Sequence, residues 1–184
     1  MNSAEKLIYS IIKKIGEDPE RPALIETPKR VVRSWSELFG GYRKDPSDLL
    51  KTFDEPFTGM ILAKGIKFHS TCEHHMLPFS GVGHIAYIPS GKKVVGASKL
   101  ARLLDLYSRR LQIQERIAEQ VVVALMKHIN PSPTGAACIL EAKHSCMLCR
   151  GVKSDSSFVV SVFRGSFLTD QGARNELLQL IGHI

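Results

Sequence analysis

Two short segments of the sequence combine thiol and imidazole side chains at spacings that suit a metal ion. The first segment holds Cys72 and His75, three residues apart, and the second holds Cys146 and Cys149, again three residues apart. Thiolate sulfur and imidazole nitrogen are ligands that zinc binds readily in proteins. The residue types therefore predict a zinc site that the fold closes from both segments.

Two kinds of zinc site fit this pattern. Spacing alone favours a closed structural site with four ligands, because Cys146 and Cys149 form a C-x-x-C pair. The segments also contain His74 and His144, and imidazole groups titrate near neutral pH, as proton transfer in hydrolysis requires. These histidines favour an open catalytic site, although hydrogen bonding to the ligands is an alternative role for both. The role of Cys149 separates the two interpretations.

The bulk properties predict one soluble globular domain. The chain has 184 residues, 43% of them hydrophobic and 23% charged, which is ordinary usage for a soluble domain. We expect a cytoplasmic protein with no membrane partner, because no stretch approaches the length of a membrane span and no signal peptide is evident. In that compartment the four cysteines favour metal binding or buried thiols over disulfides.

The charge predicts an anionic partner without identifying it. Lys and Arg number 25 against 18 Asp and Glu, a formal charge of +7. The basic residues are spread along the chain rather than clustered, so a small anionic ligand fits as well as a nucleic acid.

The elements that must position these residues follow from hydrophobic periodicity. Helical spacing predicts a first helix that ends near Gly16, a second with Thr27 as its N-cap, and a third that Ser98 caps. Residues 45–56 have neither period and are predicted to be a loop. The remaining predicted elements are strands at 61–68, 81–88, 136–142 and 158–163, a helix at 113–129 and a closing helix near Leu177. The order predicts an α+β fold with a mainly antiparallel sheet.

Several motifs, taken in order along the chain, resemble those of the GTP cyclohydrolase I family. They are Cys-Glu-His-His at 72–75, Val-Gly-Ala-Ser-Lys-Leu-Ala-Arg at 95–102, Gln-Ile-Gln-Glu-Arg at 112–116 and His-Ser-Cys-Met at 144–147. An N-terminal Glu-Thr-Pro-Lys-Arg at 26–30 matches as well. The resemblance runs from about residue 7 to the C-terminus.

The resemblance implies a tunnelling fold (T-fold), in which an antiparallel sheet carries helices on one face and subunits assemble into a toroidal homo-oligomer, a decamer in well-studied members. It implies one domain over 1–184, with a helical N-terminal segment at 1–58 and a catalytic core at 59–184. Active sites would lie between subunits. The implied reaction converts GTP and water into formate and 7,8-dihydroneopterin triphosphate, the first step of pterin and tetrahydrofolate-type biosynthesis.

Matched residue by residue, the family's zinc (Zn²⁺) ligands fall on Cys72, His75 and Cys146. Water would take the fourth position, and Cys149 is outside this ligand set. His74 and His144 match residues that transfer protons. The resemblance therefore implies the open catalytic site.

The substrate contacts implied by the resemblance are Glu115 and Gln114 for the guanine base, and one serine with several basic residues for the ribose and triphosphate. The latter match Ser98, Lys99, Arg102 and Arg150, with Arg30 reaching in from a neighbouring subunit. Ser98 lies where a helix is predicted to begin, and free N–H groups there favour anions. We count Ser98 among the catalytic candidates.

Two alternatives stay open at this point. A non-catalytic zinc module could bind nucleic acid through the basic surface, with Cys149 as its fourth ligand. We favour no nucleic-acid partner, because no RNA-binding or finger motif is visible and aromatic residues make up only 7% of the chain. A related tunnelling-fold enzyme acting on another pterin or a deazapurine is the second alternative. Glu115 and the two histidines argue against it.

Overall fold

The computed structural model describes residues 1–182, which form two compact units at 1–40 and from residue 41 onward. Residues 183 and 184, within the predicted 1–184 domain, lie outside the described residues. The N-terminal unit contains α1 (Ser3–Lys14) and α2 (Thr27–Leu38). The division into a segment at 1–58 and a core at 59–184 stays a prediction.

Local chemistry explains where the first two helices begin. In α1 the side chain of Asn2 accepts a hydrogen bond from the backbone N–H of Glu5, and the carboxylate of Glu5 accepts one from the N–H of Asn2. This reciprocal capping satisfies two N–H groups that the helix leaves free. The prediction of Thr27 as an N-cap is wrong, because α2 begins at Thr27 itself and Glu26 occupies the cap position. Pro28 still lies in the first turn, where its missing N–H costs nothing.

The second unit is built on a five-stranded sheet with the strand order β5-β2-β3-β6-β7. The strands are β2 (Ile61–Cys72), β3 (Pro78–Ile88), β5 (Leu111–Gln112), β6 (Gly135–His144) and β7 (Phe158–Gly165). All neighbours pair antiparallel except β2 and β5, which are parallel. The predicted α+β class with a mainly antiparallel sheet is confirmed.

The remaining elements from residue 40 onward are helices and a small second sheet. A 3-10 helix (Gly40–Arg43) precedes α3 (Pro46–Leu49), and β1 (Thr52–Asp54) pairs with β4 (Lys93–Val95). The long helices are α4 (Ala97–Ser108) and α5 (Gln114–His128). Three further helices are α6 (Ser145–Leu148), α7 (Ser166–Thr169) and α8 (Gln171–Ile181).

The two faces of the large sheet bury different sets of side chains. Successive residues of a strand point to opposite faces, and on β3 Ile85 and Tyr87 pack with α4 and α5 while Ala86 packs with α7 and α8. The two long helices therefore lie on one face, as predicted. In addition, α7 and α8 cover part of the opposite face with Phe167 and Ile181.

Two further local predictions are corrected by the structure, and one short strand was not predicted at all. Residues 45–56, predicted to be a loop, contain α3 and β1, elements too short for periodicity to reveal. Ser98 is not a helix cap, because Gly96 holds that position and Ser98 lies in the first turn of α4. The two-residue β5 was not predicted. No helix within residues 1–182 is long and apolar enough to cross a membrane.

Candidate active site

The three predicted zinc ligands are brought together at one edge of the large sheet. Cys72 is the last residue of β2, and Cys146 lies in α6, directly after β6. Because β2 and β6 both pair antiparallel with β3, they run in the same direction and end at the same edge. The ligand atoms of Cys72, His75 and Cys146 all lie within 4.8 Å of one another.

A tight turn after β2 returns His75 to Cys72. The N–H of Cys72 donates to the carbonyl of Leu77 at 2.8 Å, and the N–H of Met76 donates to the carbonyl of Cys72 at 2.8 Å. Met76 has a φ of 54°, in the left-handed region that a non-glycine residue adopts at an energetic cost. The Nδ1 atom of His75 lies 4.0 Å from the sulfur of Cys72.

The donor set fits a divalent cation. Burial, together with the neighbouring Cys72, raises the pKa of the Cys146 thiol, so two thiolates this close need a cation to stabilise them. Cys149 is exposed, and its thiol donates to the carbonyl of Ser145 at 2.8 Å. Among the described residues, the metal-capable cluster consists of Cys72, His75 and Cys146 and does not include Cys149. The geometry therefore favours the open three-ligand site over the closed one.

A cavity of about 150 Å³ opens beside two of the three ligands, Cys72 and Cys146. Its lining residues are Cys72, His74, Gln112, Ile113, Gln114, Glu115, His144, Cys146, Met147 and Phe158. The parallel pairing of β5 with β2 places Gln112 opposite Cys72, so the start of α5 follows directly at the same edge. The unpredicted β5 thus positions the start of α5, and with it Glu115, at the cavity.

His144 is held on three sides. Its ring stacks on Phe79, with centroids 4.5 Å apart and planes 6° apart, and meets the edge of Phe158 at 5.9 Å. Its Nε2 atom lies 2.9 Å from the Oε1 atom of Gln114. Burial lowers the pKa of His144, while the carboxylate of Glu115 acts in the opposite direction. The ring is therefore fixed at the cavity wall and biased towards its neutral form.

The turn that carries His74 and His75 is tied to α5 by an ion pair. Arg116 binds both carboxylate oxygens of Glu73, at 2.5 and 3.1 Å, and holds the pKa of that carboxyl below its usual range. The N–H of Glu73 also donates to the carbonyl of Gln112 at 3.0 Å. The side chain of His74 is exposed, and its Nε2 atom lies 4.0 Å from Glu73. The proton-transfer candidate is thus free to reach a ligand in the cavity.

The residues matched to ribose and triphosphate are not gathered at this cavity. Ser98, Lys99 and Arg102 lie on the first two turns of α4, and none of them is among the described residues that line the cavity. Arg150 lies near enough to Cys146 for its charge to lower the pKa of that thiol. Arg30 is an exposed residue of α2 in the N-terminal unit.

Sequence reasoning missed the residues that support the site. Phe79 and Phe158 face His144 from two different strands, and Glu73 and Arg116 join the metal-binding turn to α5. The charged pair lies inside motifs that were already recognised, at 72–75 and 112–116, but no sequence pattern indicates that the two segments touch. The aromatic residues look like ordinary strand residues until the register is known.

The fold and site define an α+β protein with a metal-capable Cys-His-Cys cluster beside a small cavity that holds two imidazoles and a carboxylate. The sequence profile of GTP cyclohydrolase I matches residues 4–182. The chain belongs to the GTP cyclohydrolase I family, and the predicted resemblance and the tunnelling fold that goes with it are confirmed.

Curated relatives support the same membership over most of their length. GTP cyclohydrolase 1 of Chlorobaculum tepidum is 46% identical over 186 residues, an alignment that covers 100% of this chain and 82% of the relative. The protein of that name from Caldanaerobacter subterraneus subsp. tengcongensis is 45% identical over 179 residues, with 96% and 94% covered. One solved structure, an archaeosine synthase QueF-Like in the apo form, has a TM-score of 0.42 at 16% identity, covering 58% of this chain and 94% of that one. Those values are too low to support a conclusion.

Proposed function

We propose that this chain is a zinc-dependent GTP cyclohydrolase I, which converts GTP and water into formate and 7,8-dihydroneopterin triphosphate. The observation that carries the proposal is the Cys72, His75 and Cys146 cluster, with ligand atoms within 4.8 Å, at a cavity that Glu115, His74 and His144 also line. Such a site combines a hydrolytic metal with proton-transfer groups and a group that can recognise a base. Family membership supports the same reaction.

Cys72, His75 and Cys146 would hold the zinc ion. When bound, zinc lowers the pKa of a water molecule towards neutrality and so supplies a nucleophile for C8 of the purine. The thiol of the exposed Cys149 donates to the carbonyl of Ser145, so Cys149 would leave the fourth coordination position to water.

Glu115 would recognise the guanine base. Its side chain lies in the first turn of α5 at the cavity wall, and a carboxylate accepts hydrogen bonds from the N1–H and 2-amino groups together. Adenine offers no such pair of donors, so the contact discriminates between the two purines. Hydrogen bonds to a charged group contribute about 1.5–3 kcal/mol each.

His74 and His144 would move protons during opening of the imidazole ring. When C8 is attacked, the ring nitrogen that leaves needs a proton, and His74 is exposed enough to approach it. His144 is held rigidly between Phe79 and Gln114, which suits a group that must meet the substrate at a fixed position. Imidazole is the side chain whose ordinary titration range suits proton transfer near neutral pH.

The triphosphate would be bound by residues from more than one subunit. The cavity of about 150 Å³ is smaller than the roughly 300–1,000 Å³ of complete small-molecule sites. Ser98, Lys99 and Arg102 are absent from its described lining. We therefore place the α4 residues of one chain, together with Arg30, at the cavity of a neighbouring chain in a ring-shaped homo-oligomer such as a decamer. Arg150 would complete the anion site from the chain that holds the zinc.

On this proposal the protein would act at the entry to pterin or tetrahydrofolate-type biosynthesis, and we expect it to do so in the cytoplasm. The test is to incubate the purified, zinc-loaded protein with GTP and to measure formate together with pterin fluorescence after oxidation. We expect the two products in equal amounts, and neither from a Cys146→Ala control. Zinc-loaded, assembled protein that forms neither product would overturn the proposal.

A further inference from the structure

The side-chain amide of Gln114 has an orientation that its surroundings determine. This residue is buried, with 2% of its surface exposed, and its Nε2 atom lies 2.9 Å from the carbonyl oxygen of Leu140 and 3.0 Å from that of Phe158. Carbonyl oxygens only accept hydrogen bonds, so the amide nitrogen must face them and both of its hydrogens are used. The Oε1 atom of Gln114 must then face His144.

This orientation determines which nitrogen of His144 carries the proton. The Oε1 atom of Gln114 cannot donate, so the contact of 2.9 Å to His144 Nε2 is a hydrogen bond that Nε2–H donates. In neutral His144 the proton is therefore on Nε2, and the lone pair is on Nδ1. Within residues 1–182 Nδ1 makes no hydrogen bond, and the stacking on Phe79 prevents the ring from turning over freely.

We infer that Gln114 is a positioning residue, which holds His144 in the Nε2–H tautomer so that Nδ1 is the nitrogen presented to the substrate. The inference rests on the proposed function for its catalytic meaning, although the tautomer itself is a property of the resting protein. The amide has no hydrogen left to offer a base, so Gln114 could contact guanine directly only through Oε1 as an acceptor. In this arrangement β6 and β7 orient Gln114 through two backbone carbonyls, and Gln114 orients His144.

Two variants of Gln114 separate positioning from substrate contact. Gln114→Met keeps a side chain of similar length but removes the acceptor for Nε2–H. Gln114→Asn keeps the amide and withdraws it by one methylene, so it cannot reach His144 and the two carbonyls together. A matched control is Gln112→Met, because Gln112 is also buried and its amide donates to the carbonyl of Tyr107 and to Gln120 instead of meeting His144.

The first measurement is the ¹⁵N chemical shifts of the His144 ring in zinc-loaded protein without substrate. It is made near pH 8, well above the usual histidine pKa of about 6.5, and the signals are assigned by their loss in His144→Gln. We expect a protonated Nε2 and an unprotonated Nδ1 in the wild type and in Gln112→Met, and a mixture of tautomers in Gln114→Met. A wild-type Nδ1–H tautomer, or a Gln114→Met spectrum identical to the wild type, would overturn the inference.

The second measurement is steady-state kinetics with GTP on variants that retain zinc and the wild-type unfolding temperature. A misplaced proton-transfer group lowers kcat, whereas loss of a substrate contact made equally in the ground and transition states raises KM. We expect both Gln114 variants to lose about tenfold or more in kcat, with KM for GTP changed less than about twofold. A raised KM with an unchanged kcat would instead make Gln114 a direct guanine contact. Failure of the wild type to turn over GTP would count against the proposed function and would leave the tautomer result standing.

Discussion

Two parts of the proposed active site differ in how completely one chain builds them. The metal and base part lies where β2, β5 and β6 end at one edge of the sheet, and its ligand atoms are already within 4.8 Å of one another. The phosphate part lies mainly at the start of α4, whose residues Ser98, Lys99 and Arg102 do not belong to the described cavity lining. One chain brings the residues of the first part together, whereas on the proposed function the second part would require another copy.

The difference follows from the kind of geometry that each part needs. Metal ligands must be placed to within a few tenths of an ångström, and strand ends joined by a hydrogen-bonded ladder provide that precision. A triphosphate is recognised over a longer distance by charges on flexible side chains. Such contacts tolerate a subunit interface of the kind that the proposed ring would provide.

The largest effect should come from breaking the metal part. Cys146→Ala removes one of two thiolate ligands, so we expect zinc content per subunit to fall sharply and formate release to fall below detection. Cys149→Ala is the matched control, and it should keep full zinc content because its thiol bonds only to Ser145. Zinc loss in Cys149→Ala, measured by atomic absorption, would revive the closed four-ligand site.

Restoring activity in mixed rings tests the separation of the two parts directly. We expect Cys146→Ala and a Lys99→Ala/Arg102→Ala double variant each to be nearly inactive, and mixed rings formed by co-expression with two affinity tags to recover formate release. In a mixed ring, an intact α4 from one chain meets an intact metal part from another.

The control for this experiment mixes Cys146→Ala with Cys72→Ala, which damage the same part. No arrangement of those chains gives a complete site, so activity should stay absent. If neither mixture released formate, although tandem purification demonstrated mixed rings, the placement of the α4 residues at a neighbouring chain would be contradicted.

A smaller effect is expected from the base contact. Glu115→Gln removes the charge and half of the accepting capacity, and a loss of about 1.5–3 kcal/mol predicts a fall in kcat/KM for GTP of roughly tenfold to a hundredfold. Zinc content should not change, because Glu115 is not in the metal-capable cluster. The measurement compares GTP with inosine triphosphate, which lacks the 2-amino group. An undiminished preference for GTP in the variant would show that another residue reads the base.

The smallest effect is expected where the metal-binding turn is tied to α5. Arg116→Lys replaces a guanidinium group, which binds both carboxylate oxygens of Glu73, by an ammonium group that acts as a point charge. We expect zinc affinity, measured by competition with a chromophoric chelator, to fall about twofold to fivefold, because partly exposed ion pairs contribute at most about 1 kcal/mol. Arg164→Lys, which alters a similar pair with Glu119, should leave zinc affinity unchanged. Equal effects of the two substitutions would remove any special role for Arg116.

Hydrophobic periodicity predicted the long elements of this fold and missed the short ones. The helix predicted at 113–129 is α5 at Gln114–His128, and the strand predicted at 136–142 is β6 at Gly135–His144. In contrast, α3, β1 and β5 are two to four residues long, shorter than the window in which a period can be recognised. The missed β5 matters most, because its pairing with β2 brings Glu115 to the cavity.

The same limit applies to the site. Cys72, His75 and Cys146 could be assigned from residue type, spacing and family resemblance, because zinc ligation restricts the chemistry to a few side chains. The packing of Phe79 against His144 and the pairing of Glu73 with Arg116 join segments more than 40 residues apart, and no local pattern records such contacts.

By itself, the sequence determined the ligand types, the order of the motifs and the family to which the chain belongs, because these depend on side-chain chemistry and local spacing. Only the tertiary structure decided that the Cys149 thiol donates to the carbonyl of Ser145. It also decided that the amide of Gln114 bonds to two backbone carbonyls and to His144. In the part of the chain that the structure describes, no residue of α4 lines the cavity. The physical reason is that hydrogen bonds and cavities are properties of atoms brought together by the register of the sheet. A change of one residue in that register would turn every side chain of a strand to the opposite face.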